Sequence, residues 1–412
     1  MKKLLPLLLI ITCSTLASHA QLLKKIGNKI KDKSEQRADQ KVDQAIDKGL
    51  DKTEEGAKDA TKTQSDNSQG NKEISDKTEK NSNSGAKAAP SLKVYQNYDF
   101  VPGDKILFED NFVDDQDGEF PSHWELKAGQ AIINKLDGNL AFYLTEGNYA
   151  VVKPRMKTEK YLKEPYTIEF DYYALPDAYG LVTQMHYLGK DCGDCETDAA
   201  VTVNANEVSY GGPISLSKSY SEGNGGEAFQ NKWHHIAMAF KNHQLKVYVD
   251  QNRILVVPDT QAEFYSATFA GIGDEKNPIV FKNVKISSGG DMNMIGKKFT
   301  ESKIVTHGIN FDIDKATIKP ESMGTLNMIV SVMKDNPDLK FEIDGHTDNT
   351  GAPPHNLTLS QQRAQAVKDQ LIKMGIDASR LTSKGFGDTV PVGDNSSLEG
   401  RANNRRVEFV KM

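Results

Sequence analysis

Residues 339–375 read LKFEIDGHTDNTGAPPHNLTLSQQRAQAVKDQLIKMG. Leu339, Phe341 and Ile343 alternate with polar residues, the period of a strand with one buried face. After a Gly/Pro-rich loop, LSQQRAQAVKDQLIKMG brings Ala364, Val367, Leu371 and Met374 to one helical face, with Gly375 at the C′ position. Strand, loop and helix in succession predict an α/β unit. Asp348 falls in the loop, and Arg363 stands in the first turns of the predicted helix, fifteen residues further on. Side chains that meet along one helix are three or four residues apart, so no local ion pair joins these two. Anion and cation are placed instead to face one external group carrying both signs. A salt bridge between them that closes the loop is the structural alternative.

The same alternation of elements extends over residues 303–412. KIVTHGINFD reads as a strand, and KPESMGTLNMIVSVMKDNP as a helix opened by Pro320 and followed by Pro337. Met323, Leu326, Ile329, Val330 and Met333 form its buried stripe, while SRLTSKGFG and RRVEFV supply further strands. The fold class expected here is an α/β domain of βαβ units. His346 is expected to hydrogen-bond within its loop rather than to bind a metal, since no second His stands nearby at ligand spacing.

Residues 94–290 have another character. Short period-two runs (YTIEFDYYAL, HHIAMAFK, LKVYVD, RILVV, PIVFKNVKIS) are separated by turn clusters, which predicts an all-β sandwich. In NKWHHIAMAFKNHQLKVYVDQNRILVV, Trp233 heads a strand, KNHQ reverses it, and Val247 and Val249 alternate with Tyr248. With YDFVPGDKILFEDNF and FAGIGDEKNPIVFKNVKIS as first and last strands, this resembles the laminin-G-like, concanavalin-A-type jelly rolls over most of the segment. Such folds bind glycan or protein, and some hydrolyse sugars. Hydrolysis needs two positioned carboxylates. Glu169 and Asp171 share a strand face, but Ala174 stands where β-glucan hydrolases of this fold carry a second Glu, so the pair reads as an acidic strand at a sheet edge. Asp115, Asp117 and Gly118 resemble part of a calcium loop that lacks its leading Asp. Trp233 and Tyr248 read as core or sheet-face residues rather than sugar platforms. A transmembrane barrel is the rival architecture, but Pro154, Pro165, Pro176 and Pro258 interrupt the uneven strands.

Upstream, MKKLLPLLLIITCSTLASHA (1–20) reads as a signal peptide, its apolar run too short to span a bilayer. Cleavage takes the formal net charge from −6 to −8, and an acidic chain without a basic domain argues against nucleic acid. A lipoprotein would instead be cut before Cys13, where Thr12 is large for that position. Residues 21–50 read as a basic amphipathic helical segment suited to a membrane surface or a solvated helix. Residues 51–93 have almost no large apolar side chains and read as a disordered linker. Cys192 and Cys195 in KDCGDCETD are expected to form a disulfide that pins a loop, because an exported pair this close favours it.

In the final segment INFDIDKATIKPES, DGHTDNTG, Asn356, LSQQRA, GIDASRL, KGFGD, Pro391 and EGRANNRRVEFV occur in one order. Together they resemble the OmpA-like peptidoglycan-binding domain, over the whole of residues 303–412. The resemblance implies a non-enzymatic protein, without cofactor, that holds the diaminopimelate of the peptidoglycan stem peptide. It implies that Asp348 accepts from the ligand's ammonium and that Arg363 grips its carboxylate through the planar guanidinium fork. Thr347 and Asn356 flank the loop, Asn356 either capping the helix or touching ligand. Asp312 and Asp314 follow the first strand where the family places ligand-facing loop residues. Arg405 matches a position near the pocket, and Arg406 braces the sheet. With a signal peptide and a long linker, this describes a periplasm-facing tether between a Gram-negative outer membrane and its wall. A protein that binds or processes glycans through the β-sandwich is the alternative.

Overall fold

The structure, a computed structural model, describes residues 98–274, 276–290 and 299–412. The expected signal peptide, Cys13, the 21–50 helical segment and the 51–93 linker lie outside the described residues.

Thirteen strands build the β-rich domain: β1 (Lys105–Asp110), β2 (Trp124–Leu136), β3 (Asn139–Pro154), β4 (Tyr166–Tyr173), β5 (Leu181–Gly189), β6 (Cys195–Val203), β7 (Glu207–Gly211), β8 (Ser215–Ser219), β9 (Trp233–Lys241), β10 (Gln244–Val249), β11 (Asn252–Val257), β12 (Phe264–Gly271) and β13 (Ile279–Ser288). They form one antiparallel sheet in the order β11-β10-β9-β4-β13-β3-β12-β5-β6-β7-β8, with β1 paired to β13 and β2 to β3. β8 lies against β11, so the sheet nearly closes on itself. Alternation decides its inside: Ile168, Phe170, Ile236, Met238, Leu245 and Val247 point into a core that holds fully buried Trp124, Phe142 and Phe269. A lipid-facing barrel has the opposite sense, polar within and apolar without. Among the described residues no helix is long and apolar enough to cross a membrane.

Trp233 lies on the outer face under Lys282 (Nζ 4.0 Å from the ring centroid), and the core tryptophan is Trp124, whose Nε1 donates to Asp110 Oδ2 at 2.9 Å. The KNHQ turn is a two-residue hairpin with Asn242 and His243 at φ 52° and 61°, the left-handed pair that matches sheet twist. Cys192 and Cys195 are disulfide-bonded, Cα–Cα 5.6 Å, in the connection from β5 to β6.

The α/β domain comprises β14 (Lys303–Thr306), α1 (Met323–Asp335), β15 (Phe341–His346), α2 (Pro353–Lys373), β16 (Leu381–Gly387), α3 (Leu398–Asn404) and β17 (Val407–Lys411). Its sheet runs β14-β17-β15-β16, with β15 and β16 parallel and the other pairs antiparallel. The expected KIVTHGINFD strand stops at Thr306, where the chain turns into a loop closed by an isolated Phe311–Ile318 bridge. Helix α2 starts six residues before the expected Leu359, because Pro353 and Pro354 occupy its first positions, where a missing N–H costs nothing. Arg363 therefore sits in mid-helix rather than in the first turns. Gly345 and Gly385 let α2 rest directly on β15 and β16: a Cβ at Gly345 would lie 2.4 Å from Ser360 O, and one at Gly385 2.4 Å from Gln361 N.

The two domains share a core. Ala237 and Tyr248, on the outer face of β9 and β10, are buried with Tyr98, Phe100 and the α1 residues Met323 and Met328. Asn403 of α3 covers the edge of β1, accepting from Ile106 N (3.0 Å) and donating to Ile106 O (2.9 Å). Contrary to the edge expected for them, Glu169 and Asp171 are on β4, which lies between β9 and β13. His235 lies between the two carboxylates, Nδ1 2.9 Å from Asp171 and Nε2 3.4 Å from Glu169. Burial works against its charge, but Asp171 and Glu169 outweigh it and push the imidazole up to about 10.

Candidate functional site

A cleft of about 810 Å³ opens where the two domains meet. From the α/β domain it is lined by Asp314, Asp348, Asn356, Arg363 and Arg405, and from the β-domain by Glu109, Asn111, Val113, Asp114 and Lys285. Asp348 is buried at the end of β15. Its Oδ1 accepts from Thr350 N (2.9 Å), which folds the loop back on itself, and its Oδ2 accepts from Arg405 Nη1 at 2.5 Å. Its ionic partner is thus Arg405 and not Arg363. The same guanidinium donates through Nη2 to Glu109 of β1, and Lys285 of β13 stands 3.5 Å from Glu109. Burial alone would raise the Glu109 carboxyl; Arg405 and Lys285 outweigh it and hold it at about 2. Burial likewise opposes the charge on Arg405, yet Glu109 and Asp348 raise it above the ordinary arginine value.

Arg363 stands differently. Its Nε donates to Lys315 O (2.9 Å), its Nη2 reaches Asp312 O (3.4 Å), and its guanidinium carbon lies 5.0 Å from the centre of the Phe311 ring. These partners are neutral, and no carboxylate forms a salt bridge with it among the described residues. Burial depresses its pKa, with Asp314 and Asp348 opposing from further off. A half-buried cation braced by carbonyls and an aromatic face, at the wall of an open cleft, has the charge and geometry to accept an anion.

Of the other residues singled out in the sequence, Asn356 is buried in the first turn of α2 and donates to Asp348 O (3.3 Å), inside the helix rather than capping it. Asp314 is exposed at φ 55° and pairs with His355 Nε2 at 2.6 Å, tying the Asp312–Lys315 turn to α2. Asp312 and Thr347 do not line the cleft: Asp312 presents its carbonyl to Arg363, and buried Thr347 leaves its hydroxyl without a partner among the described residues. Arg406 ties β17 to its surroundings through Glu408 (2.7 Å) and Val390 O (3.2 Å). His346 departs from expectation. Its ring stacks on Phe386 with centroids 5.1 Å apart and neither nitrogen has a partner among the described residues, so burial pushes it down to about 4. Asp117 pairs with Lys135 at 3.5 Å, and Asp115 groups instead with Asp110 and His123. Phe311 and Glu109 escaped the sequence reading. The aromatic before Asp312 was a visible signal, whereas Glu109 lies 296 positions from Arg405 and gave none.

Residues 310–405 match the OmpA family. They are an OmpA family domain. Across 103 residues the chain is 43% identical to the Escherichia coli K12 protein named Probable lipoprotein YiaD, covering 25% of this chain and 47% of that protein. It is 44% identical to outer membrane porin F of Pseudomonas fluorescens, across 24% and 31% respectively. It is 41% identical to the peptidoglycan-binding protein ArfA of Mycobacterium tuberculosis H37Rv, across 26% and 33%. The chain spans under half the length of each of these curated relatives. Among solved structures, the peptidoglycan-associated lipoprotein of Burkholderia pseudomallei aligns at 25% identity over 29% of this chain and 98% of its own, with a TM-score of 0.25.

Proposed function

We propose that this protein is a non-enzymatic envelope tether that binds peptidoglycan through the free amino-acid head of its diaminopimelate. The observation that carries the reading is Arg363: a half-buried guanidinium without an acidic salt-bridge partner among the described residues, sharing a cleft with a buried carboxylate. A ligand head with ammonium and carboxylate on one carbon matches both, the carboxylate on Arg363 and the ammonium on Asp348. The relatives named for peptidoglycan support the ligand class. The expected signal peptide together with the OmpA domain supports a periplasm-facing protein of a Gram-negative envelope, with outer membrane, or a further glycan or protein on the β-domain, at its other end. A hydrolase reading finds no support at Glu169 and Asp171, which are both paired with His235.

Charge-assisted hydrogen bonds contribute about 1.5–3 kcal/mol each, and association loses several kcal/mol of translational and rotational freedom. One head group is therefore held weakly, and retention on a wall that repeats it rests on effective concentration. Co-sedimentation with insoluble diaminopimelate-containing peptidoglycan tests the reading. The parent should pellet, and Arg363→Ala and Asp348→Asn, each with a parent-like circular dichroism spectrum, should stay in solution. Equal pelleting of all three removes the charged pair from the binding mechanism.

A further inference from the structure

We propose that the β-domain is part of this binding site, and that Glu109 of β1 is a positioning residue that keeps Asp348 available to a ligand ammonium. The proposal rests on the reading of Asp348 and Arg363 given above and adds a control on it from outside the OmpA domain.

The geometry is a chain of alternating charge that crosses the domain boundary. Lys285 faces Glu109, Glu109 accepts from Arg405 Nη2, and Arg405 Nη1 donates to Asp348 Oδ2. Two cations and two anions balance, and all four residues line the cleft. A zwitterionic head set between Asp348 and Arg363 continues the alternation: carboxylate, ammonium, carboxylate, guanidinium. Glu109 matters because an arginine fork can grip one carboxylate with both arms. While Glu109 occupies Nη2, Arg405 spends a single arm on Asp348, whose Oδ1 meets, among the described residues, the N–H of Thr350 alone. Without the Glu109 charge, Arg405 is free to close on Asp348 with both arms, and an ammonium arriving there meets a site more positive by one charge. Removing Lys285 has the opposite sign, because it leaves the same site more negative by one charge.

Opposite signs give the test a form that mere damage to the interface does not produce. The full chain is titrated against native peptidoglycan and against peptidoglycan whose free amines have been acetylated. The parent should prefer the native wall. Glu109→Gln should bind the native wall about tenfold more weakly, within the span by which network residues modulate coupling, and lose the preference for free amines. Lys285→Gln should bind the native wall more tightly and keep the preference. Asp99→Asn is the stability control, since that residue pairs with Lys246 and Arg253 in a different cleft, and it should behave as the parent. If Glu109→Gln binds like the parent while Arg363→Ala fails to bind, the β-domain contribution is overturned and the ligand reading stands. If Arg363→Ala itself binds like the parent, the ligand reading fails and this proposal with it. Should Glu109→Gln not fold, Lys285→Gln decides alone, and weaker binding there overturns the proposal.

Discussion

Replacing Gly345 by alanine probes the contact that sets the site's geometry. Gly345 lies in β15, under α2, and an added Cβ would stand 2.4 Å from Ser360 O and 3.1 Å from Ser360 C. Even a tight 3.0 Å contact requires α2 to move away by about 0.6 Å at Ser360, since the obstacle is main chain rather than a flexible side chain. Forcing a methyl into a packed interface of this kind costs about 1–3 kcal/mol. The displacement also reaches Arg363, one turn further along the same helix. Recognition by fixed charged groups tolerates about 0.5 Å of error, so affinity should fall together with stability. The assays are thermal unfolding of the full chain and its retention on peptidoglycan at a temperature where the variant remains folded. A lower Tm with weaker retention is expected. A Gly345→Ala protein with the parent's Tm and retention would refute the seating of α2 on β15, and with it the account of how Arg363 is placed.

Three further outcomes follow from the packing and the charges. Cys192→Ser/Cys195→Ser opens a small loop, for which chain entropy assigns about 2 kcal/mol; calorimetry should show no larger loss, and peptidoglycan retention should be unchanged. His235→Ala leaves Glu169 and Asp171 buried without their cation and should lower stability by about 3–5 kcal/mol in denaturant titration. Because the folded-state pKa of His235 is raised to about 10, its contribution is complete below about pH 6.5 and is lost as pH rises through about 10. Asp344, pushed up to about 6 by burial with help from Glu342 and Glu408, acts in the same sense at lower pH: the folded state binds the extra proton, so stability falls as pH rises from about 4 to 6. Asp344→Asn should therefore raise Tm at neutral pH by about 2–4 °C, a gain that vanishes near pH 4.

Much of the architecture was legible in local patterns. Period-two runs marked β4, β9, β10, β11 and β13, and the stripe from Met323 to Met333 marked α1, because each element buries one face and writes that period into its sequence. The start of α2 was hidden by Pro353 and Pro354, residues that break a helix interior but fit its first turn. The ligand-facing roles of Asp348 and Arg363 were suggested by their motifs, yet the actual partner of Asp348 was not, since Arg405 is distant in sequence and folds back through β17. The shared core was written only faintly. Ala237 and Ala239 on the outward face of β9 are small and apolar where a solvated sheet would carry polar side chains, the composition of a surface against which another domain rests closely. A single strand cannot say which element covers it.

That shared core bears on how such a protein is assembled from parts. The matched segment makes up 47%, 31% and 33% of the three curated relatives, so in each it is one part of a longer chain. Here α1 lies over Tyr248, and Asn403 seals β1. Severing the chain between Ser288 and Phe299 would strip the cover from both halves at once, leaving β1 with a bare edge and α1 with a bare apolar face. A load applied to the α/β domain would pass into the β-domain across a packed surface rather than along a single strand of backbone. What reads in one dimension as a cassette behaves in three as one half of a joint, and its exchange for a relative's domain would have to carry the matching face of the sheet with it.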